Sequence, residues 1–283
     1  MPLPGLLTIP VNRTGPVAAL LLLAGSGPED RDESIGPNKV LRDVAQGLAS
    51  RGIATLRYDK RTLVAGRTMK ASTITVEEEV LADADSALAL LRRTPDVDPK
   101  RIFVLGHSLT ASLAPVIAAR NPSLRGAVML AASARPILQL VSDQFRYLST
   151  IETDSTRATA LDSLSRAALT FEDSSLPDST TFMGITLHYQ RDLDARQPLQ
   201  VAQTLDLPML IVQGGRDYQV TMADFDRWQA ALGQKEHVTF RLFNELNHLM
   251  ISGEGPPSPK EYEVPSHVDS RVIDEVVTFV QGQ

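Results

Sequence analysis

The sequence predicts an α/β fold: a mostly parallel central sheet flanked by helices, with one helical insertion. Short, nearly continuous apolar runs alternate with longer segments whose apolar residues recur at helical spacing. Continuous apolar runs are typical of parallel strands buried on both faces, and their alternation with helices is typical of βαβ units. The alternation breaks between residues 134 and 207, and this break predicts the insertion.

Apolar runs define the predicted strands of the sheet. The most apolar of them, "VAALLLLA", is far too short to cross a membrane and predicts a fully buried strand. A short "LLTIP" strand precedes it near the start of the sequence. The main predicted strands are Val17–Leu23, Ile53–Tyr58, Arg101–Leu105, Gly126–Ala131, Pro208–Val212 and Val238–Phe243.

Segments of helical periodicity lie between these strands. In the first of them, Val40, Leu41, Val44 and Leu48 fall on one face, as expected for a helix packed on a sheet. The second opens with the capping box "TVEE" at residues 75–78. The predicted helices are Val40–Ser50, Thr75–Arg93, Leu109–Arg120, Thr221–Leu232 and Val268–Val280.

The insertion is expected to be a helical cap rather than a separate domain. Its stretches "LQLVSDQFRYL" and "RATALDSLSRAAL" favour helices, and the polar stretch "EDSSLPDSTT" lies in the middle of the segment. No strand is expected there. The predicted organisation is therefore an α/β core of residues 1–133 and 208–283, with residues 134–207 as the cap.

Composition and charge exclude several classes of partner and cofactor. The net charge is −6 and no long basic block is present, so neither nucleic acid nor an anionic membrane is an expected partner. The absence of cysteine excludes disulfides, thiolate metal sites and a cysteine nucleophile. No cluster of His, Asp and Glu has the spacing of metal ligands, so no metal and no other cofactor is expected.

The compartment and the oligomeric state are less well defined. No basic leader with a small-residue cleavage pattern precedes the first strand, so the cytoplasm is the expected compartment. Export from the cytoplasm is the alternative if a leader peptide precedes the first residue. The sequence defines no oligomeric state.

The stretch "GHSLT", residues 106–110, places Ser108 between a predicted strand and a predicted helix. Gly106 allows a sharp turn, and the helix start offers free N–H groups and the positive end of its dipole to a developing oxyanion. The stretch matches the G-x-S-x-G nucleophile elbow, except that Thr110 replaces the last glycine. A serine that only caps a helix is the alternative interpretation of this stretch alone.

Thr110 has two expected consequences for this elbow. Its branched side chain keeps the helix slightly away from the strand unless its hydroxyl bonds a nearby carbonyl in the first turn. The same side chain could also crowd the acyl side of the pocket and favour small acyl groups. In either case we expect the elbow to form, because only the serine itself must hold the strained conformation.

Two further residues come after predicted strands and complete a catalytic pattern. Asp217 lies in "IVQGGRDYQV" and His248 lies in "FRLFNELNHLM", each just past an apolar run. The order Ser, Asp, His, with each residue beyond the carboxyl end of a strand, is that of α/β-hydrolases. In such a triad the histidine takes the proton of the serine, and the aspartate fixes the tautomer of the histidine. The sequence therefore predicts Ser108, Asp217 and His248 as the catalytic residues.

The loop "AGSG" after the first long strand predicts the second half of an oxyanion hole. Acyl-transfer sites of this class draw one backbone donor from that loop and one from the residue after the nucleophile. The predicted donors are therefore the backbone N–H groups of Ser26 and Leu109. A glycine turn that binds no ligand is the alternative. Neither the P-loop pattern nor the Rossmann glycine pattern is present.

The sequence resembles a bacterial branch of the α/β-hydrolase superfamily in "GSGPEDRDESIGPNKVLRDVAQGLASRGIATLRYDKRT", "GHSLTA", "QGGRDYQV" and "NHLM". Members of this branch are serine esterases, often labelled dienelactone-hydrolase-like or S9/S33-peptidase-like. The resemblance covers nearly the whole chain and is weakest in the insertion. It implies carboxylesterase activity on modest acyl esters, no cofactor, a helical cap, and the same triad and oxyanion donors. The sequence departs from the pattern at Thr110 and at Ala24, where the superfamily often has histidine.

Other polar and aromatic residues near the site have competing interpretations. His107 is expected to be a packed core histidine, His237 a surface-loop residue, and His188 and His267 structural or solvated residues, with a place in the pocket as the alternative. Aromatic residues of the cap either pack within it or form an acyl pocket: Phe145, Tyr147, Phe171, Phe182 and Tyr189. Charged residues are expected to pair and fix the loops rather than bind substrate: Asp30, Arg31, Asp32, Glu33, Arg57, Lys60 and Arg61.

The expected function is hydrolysis of small to medium acyl esters through a Ser108 acyl-enzyme, with a small-molecule ester as the partner. An acyltransferase or an aminopeptidase with the same triad stays open, as does a lyase that uses the triad as a base. A non-catalytic binding protein of this fold is disfavoured, because all three triad members are present.

Overall fold

The computed structural model describes residues 1–173 and 175–283. Its strands are β1 (Gly5–Thr8), β2 (Val17–Leu23), β3 (Ser34–Ile35), β4 (Asn38–Lys39), β5 (Ala54–Tyr58), β6 (Val97–His107), β7 (Gly126–Leu130), β8 (Thr181–Phe182), β9 (Ile185–Thr186), β10 (Met209–Gly214) and β11 (Val238–Phe243). Its α-helices are α1 (Val40–Ala49), α2 (Arg61–Ala65), α3 (Ala82–Arg93), α4 (Leu109–Arg120), α5 (Ile137–Ile151), α6 (Ser155–Thr170), α7 (Leu187–Ala195), α8 (Pro198–Thr204), α9 (Met222–Leu232) and α10 (Ser270–Gln281). No helix among the described residues is long and apolar enough to cross a membrane.

One seven-stranded sheet organises the described residues, with the strand order β1-β5-β2-β6-β7-β10-β11. Neighbouring strands are parallel except β1, which runs antiparallel to β5 at the edge. Side chains of β2 alternate between two cores: Ala19, Leu21 and Leu23 face one, while Leu20 and Leu22 face the other. The prediction of a mostly parallel sheet that is covered on both faces is confirmed.

Helices cover the two faces of the sheet in separate layers. Helices α1 and α10 contact each other and belong to one core, whereas α3, α4 and α9 belong to the other. Trp228 of α9 is fully buried and donates a hydrogen bond to the carbonyl of Ala132, just past β7, at 3.0 Å. The two layers hold the strands firmly, and the carboxyl ends of β2, β6, β10 and β11 therefore occupy fixed positions.

The segment between β7 and β10 contains helices α5 to α8, and α5 packs along α6. The expectation that it holds no strand is wrong, because β8 and β9 pair as a hairpin through Met183 and Gly184, which have φ of 52° and 82°. Two-residue strands are too short for alternation to reveal. The same applies to the β3–β4 hairpin, which the sequence does not predict.

The second predicted helix begins with an unexpected geometry. The Glu78 carboxylate accepts a hydrogen bond from the Thr75 N–H at 2.9 Å, as a capping box requires. A wide π turn, Glu77–Leu81, then precedes α3 where the sequence predicts a continuous α-helix. Such turns occur frequently at functional sites. This one carries Glu79, a buried carboxylate.

Candidate active site

Ser108 lies at a strained turn between β6 and α4. Its φ of 55° and ψ of −117° lie outside the regions that non-glycine residues normally adopt. The turn is tight because α4 starts directly against Gly106: a Cβ atom added there would lie 2.3 Å from the backbone carbon of Thr110. This strain sets the serine at the start of a helix whose first N–H groups have no intrahelical partner.

Thr110 fastens this turn to the neighbouring strand. Its hydroxyl donates a hydrogen bond to the carbonyl of Leu23 in β2 at 2.7 Å and accepts one from the His107 N–H at 3.1 Å. The hydroxyl also lies 3.1 Å from the carbonyl of His107. A threonine can therefore occupy the position of the last elbow glycine, because its hydroxyl satisfies local backbone groups. The hydroxyl does bond a carbonyl, but the shorter bond runs to Leu23 in the neighbouring strand rather than within the first helical turn as expected.

His248 and Asp217 are in direct contact beyond the ends of β11 and β10. The Nδ1 atom of His248 lies 2.7 Å from Oδ2 of Asp217, and both residues are buried. The other carboxylate oxygen accepts hydrogen bonds from the backbone N–H groups of Gln219 and Val220 at 2.8 and 2.9 Å. The carboxylate is thus anchored, and a proton on Nδ1 leaves Nε2 of His248 free to accept.

Ser108 is not hydrogen-bonded to His248 in this structure, although the ring of the preceding residue, His107, lies 4.8 Å from the ring of His248. Catalytic hydrogen bonds are often long before substrate binds. The structure thus joins two members of the predicted triad by a hydrogen bond and brings the third to the same edge of the sheet.

The loop after β2 lies beside the serine and is held on both sides of the Gly25 peptide. The Gly25 N–H donates to Oε1 of Glu33 at 2.6 Å, and the Gly25 carbonyl accepts from Nζ of Lys60 at 2.7 Å. The described residues contain no cis peptide bond, so the N–H of Ser26 points away from the carbonyl that Lys60 holds. A Cβ atom added to Gly25 would lie 3.2 Å from Cβ of Ser108, which puts this loop against the serine.

Lys60 and Glu79 form a buried ion pair under this loop. The Nζ atom of Lys60 lies 2.6 Å from Oε1 of Glu79, and their side chains are 5% and 8% exposed. The pair balances its own charge in a region that is shielded from water. Lys60 therefore serves as a fixed donor to the Gly25 carbonyl without adding net charge to the site.

Glu33 and His107 form a second buried pair, directly behind Ser108. Nδ1 of His107 lies 2.9 Å from Oε1 of Glu33, and Nε2 lies 2.8 Å from the carbonyl of His248. Both partners are acceptors, so both ring nitrogens donate and the ring is an imidazolium. His107 is buried as the sequence predicts, but its link between the Glu33 loop and the His248 loop is not foreseen from the sequence.

The electrostatics agree with a charged pair. Burial acts to lower the pKa of His107, but the charge of Glu33, the hydrogen bond to it and the carbonyl of His248 outweigh burial and raise the pKa to about 9. Burial likewise opposes the ionisation of Glu33, yet the charge of His107 and hydrogen bonds from His107 and Gly25 hold the pKa of its carboxyl below the ordinary value.

The charged residues near the site form ion pairs, but of these pairs only Arg57–Asp32 joins two members of the group that the sequence singles out. Arg31 binds Asp59 at 2.9 Å, and Arg57 binds Asp32 at 3.0 Å. Arg61 takes Asp83 as its partner. These pairs fix the loops after β2 and β5, but the partners of Arg31, Arg61, Lys60 and Glu33 lie outside the predicted group.

A cavity of about 260 Å³ opens beside the predicted oxyanion donors. It runs between the loop after β2, the start of α4, the π turn and the segment between β7 and β10. Its lining residues are Ser26, Gly27, Pro28, Thr62, Ile74, Glu79, Leu109, Ile137, Gly184, Ile185, Thr186, Tyr189, Gln190 and Leu193. Thr110 does not line it, so the idea that Thr110 crowds an acyl pocket finds no support.

Most of the other aromatic and histidine candidates lie away from this cavity. Of the five aromatic residues that the sequence singles out in the insertion, only Tyr189 lines it, whereas the rings of Phe171 and Phe182 pack together at 4.9 Å. His188 lies 3.7 Å from Asp178, and the exposed His267 lies 3.0 Å from Asp43, both outside the cavity lining. Within the described part of the chain, no group of His, Asp and Glu side chains could hold a metal ion.

The fold and the site together define the class of the protein. A mostly parallel sheet whose strand ends carry Ser108, Asp217 and His248 in that order is the arrangement of α/β-hydrolases. Residues 38–255 match the serine aminopeptidase S33 family, and the chain belongs to that family.

Known proteins with related sequences and folds include several esterases. Esterase EstD of Thermotoga maritima is 44% identical over 278 residues, which are 98% of this chain and 65% of EstD. Est1E of Butyrivibrio proteoclasticus has a similar fold at a TM-score of 0.61 and 16% identity, over 99% of this chain and 94% of Est1E. The esterase domain of a Rhodothermus marinus protein matches with a TM-score of 0.59 and 15% identity, over 100% of this chain and 99% of that domain.

Proposed function

We propose that this protein is a serine carboxylesterase that hydrolyses small to medium acyl esters through an acyl-enzyme on Ser108. The observation that carries the proposal is the hydrogen bond between His248 and Asp217, at 2.7 Å, at the same sheet edge as a serine held in a strained turn. The 44% identity to Esterase EstD supports ester hydrolysis. The chain spans 65% of EstD, so the activity is inferred from the site as well as from the relative.

In the first half of the proposed reaction, the hydroxyl of Ser108 attacks the ester carbonyl and passes its proton to Nε2 of His248. Asp217 stabilises the resulting imidazolium. The tetrahedral intermediate then collapses, and His248 returns the proton to the alcohol as it leaves. Water repeats the sequence of steps on the acyl-enzyme and releases the acid, so each group ends in its starting protonation state.

The proposed oxyanion hole consists of the backbone N–H groups of Ser26 and Leu109. Leu109 opens α4, where the helix dipole adds to the donor. The Ser26 N–H is oriented by its own peptide plane, because Lys60 and Glu33 hold Gly25 from both sides. Donors that are fixed before the reaction do not need to reorganise when the negative charge develops.

We further propose that residues 134–207 act as a cap on the core formed by residues 1–133 and 208–283. Residues of this segment, among them Ile137, Ile185 and Leu193, supply the apolar wall of the cavity opposite Ser26 and Leu109. A wall of this kind excludes water and selects acyl groups by size.

An aminopeptidase is the second candidate, because the matched family is described as serine aminopeptidase S33. An aminopeptidase binds the positively charged amino terminus of its substrate and needs an uncompensated negative charge near the scissile bond. Glu79 is the carboxylate that lines the cavity, and Lys60 already neutralises it. This charge balance favours a neutral ester over a peptide with a free amino terminus.

The experiment that tests the proposal compares scissile bonds on the same enzyme. We expect turnover of p-nitrophenyl esters from acetate to hexanoate, and much slower turnover of aminoacyl p-nitroanilides. An added alcohol acceptor should divert only a small part of the acyl group. Preference for the anilides would favour the aminopeptidase, and efficient transfer to the alcohol would favour an acyltransferase.

A further inference from the structure

The side of the cavity that α7 forms carries polar as well as apolar side chains. Apolar side chains from three segments form the walls, including Ile74, Leu109 and Leu193. Two polar side chains of α7, Tyr189 and Gln190, also line the cavity and are 9% and 3% exposed. A buried polar side chain costs more free energy than an apolar one unless its polar atoms are hydrogen-bonded. Tyr189 and Gln190 therefore need hydrogen-bonding partners.

Gln190 makes no side-chain hydrogen bond within the described part of the chain, and its Oε1 atom is fully buried without a partner. The Tyr189 hydroxyl is likewise buried and has no partner in good hydrogen-bonding geometry among the described residues, although the Glu79 carboxylate lies close enough to interact with it. Leaving such groups unsatisfied costs roughly 1–3 kcal/mol each, which a bound hydrogen-bonding group would recover.

The charge of the region selects among ligands. Glu79 lies nearby on the cavity lining, but Lys60 binds its Oε1 atom and balances its charge. Burial, followed by the charge of Glu79, raises the pKa of Tyr189 well above its ordinary value, so its hydroxyl stays neutral. A neutral hydrogen-bonding group therefore suits the region better than a cation or an anion.

The same cavity is lined by Ser26 and Leu109, the proposed oxyanion donors. An ester whose carbonyl oxygen sits on those donors can extend one arm along the apolar walls toward α7. We infer that Gln190, with Tyr189, forms a binding site for a neutral hydroxyl or similar group at the far end of that arm. The preferred substrates are then esters with a hydroxylated acyl or alcohol arm rather than plain alkyl esters. This inference rests on the proposed esterase function.

The test compares ester pairs that differ by a hydroxyl and a methyl group of similar size. One pair is the methyl esters of para-hydroxyphenylpropanoate and para-methylphenylpropanoate, and the other is the acetates of para-hydroxyphenethyl and para-methylphenethyl alcohol. The assay monitors acid release at about pH 7.5, where phenols are neutral. In at least one pair we expect the hydroxyl ester to have a kcat/KM about tenfold higher, as one good buried hydrogen bond provides.

Substitutions assign the preference to the residues. Gln190→Leu should reduce the tenfold ratio to about two or less, and Tyr189→Phe should reduce it by about threefold. The matched control is Gln203→Leu, which makes the same change at an exposed position of α8 and should keep the ratio. Should Gln190→Leu not fold, the ratios of the wild type and of Tyr189→Phe still decide the question.

Two controls separate failure of this inference from failure of the proposed function. If the wild-type protein does not hydrolyse p-nitrophenyl acetate, the esterase proposal itself is overturned. If the wild-type protein hydrolyses p-nitrophenyl acetate but has equal kcat/KM for the hydroxyl and methyl esters of both pairs, only the proposed hydroxyl site is overturned. A tenfold ratio that survives Gln190→Leu and Tyr189→Phe would also overturn the assignment to α7.

Discussion

Replacing Lys60 with methionine is predicted to slow turnover far more than it weakens substrate binding. Lys60 donates to the Gly25 carbonyl at 2.7 Å and to Glu79 at 2.6 Å, and it does not line the cavity. Without it, the Gly25–Ser26 peptide can rotate, and the Ser26 N–H no longer keeps its direction. The developing oxyanion depends on that direction, whereas the ground-state ester depends on it little.

The expected size of the effect depends on whether the oxyanion donor is removed or only loosened. Removing an oxyanion donor outright costs about 10²–10³ in kcat. Lys60→Met loosens one donor instead of deleting it, so we expect kcat to fall roughly 10- to 100-fold with KM within about threefold of wild type. The buried Glu79 carboxylate also loses its partner, which should lower the free energy of unfolding by about 3–5 kcal/mol.

Steady-state kinetics with p-nitrophenyl acetate, beside urea unfolding, separate the two effects. Lys60→Met/Glu79→Gln removes the unpaired charge and should recover much of the stability while kcat stays low. Arg57→Met is the matched control: it removes another buried cation, which is bound to Asp32 at 3.0 Å and makes no hydrogen bond to Gly25, and should lower stability without lowering kcat. A folded Lys60→Met enzyme with kcat within about threefold of wild type would refute the reasoning.

Two further predictions concern the groups behind Ser108. The pKa of His107 is raised from 6.5 to about 9, so its pairing with Glu33 stabilises the fold fully below pH 6.5 and loses up to about 3 kcal/mol as pH rises through 9. The pKa of Glu33 is lowered from 4.5, so the stability that its charge contributes is lost as pH falls below that value. Urea unfolding of wild type and of His107→Gln from below pH 4.5 to above pH 9 checks the sign of both effects. Equal pH profiles for the two proteins would contradict the ion pair between Glu33 and His107. Thr110→Val should cost about 1–3 kcal/mol, because the carbonyl of Leu23 and the N–H of His107 lose their partner. The same variant should leave the ratio of acetate to hexanoate hydrolysis unchanged, and a changed ratio without loss of stability would show that Thr110 acts on substrate.

The sequence predicts the parts of the fold that depend on regular periodicity. The apolar runs that precede Ser108, Asp217 and His248 are long enough to identify strands, and a residue just past a strand end has a known place in a parallel sheet. The short hairpins β3–β4 and β8–β9 are not predictable in this way, because two-residue strands have no measurable alternation.

The contacts that hold the site loops in place are not predictable from the sequence, because they connect distant residues through single hydrogen bonds. Glu33 and His107 are 74 residues apart, and Lys60 reaches the Gly25 carbonyl across 35 residues. Each of these side chains could pair with several neighbours of opposite charge, and only the packed loops select one. Gln190 gives no signal either, because a glutamine in a polar helix normally faces solvent.

The most direct test of the account is the identification of the residue that becomes covalently modified. A fluorophosphonate probe reacts with an activated serine, and peptide mapping by mass spectrometry locates the adduct. We predict a single adduct on Ser108, none on Ser108→Ala, and labelling of His248→Ala slowed by several orders of magnitude, in line with the roughly 10⁶-fold losses of other triads. An adduct on a different residue, or equal labelling of the folded Ser108→Ala variant, would contradict the assignment of Ser108 as the nucleophile.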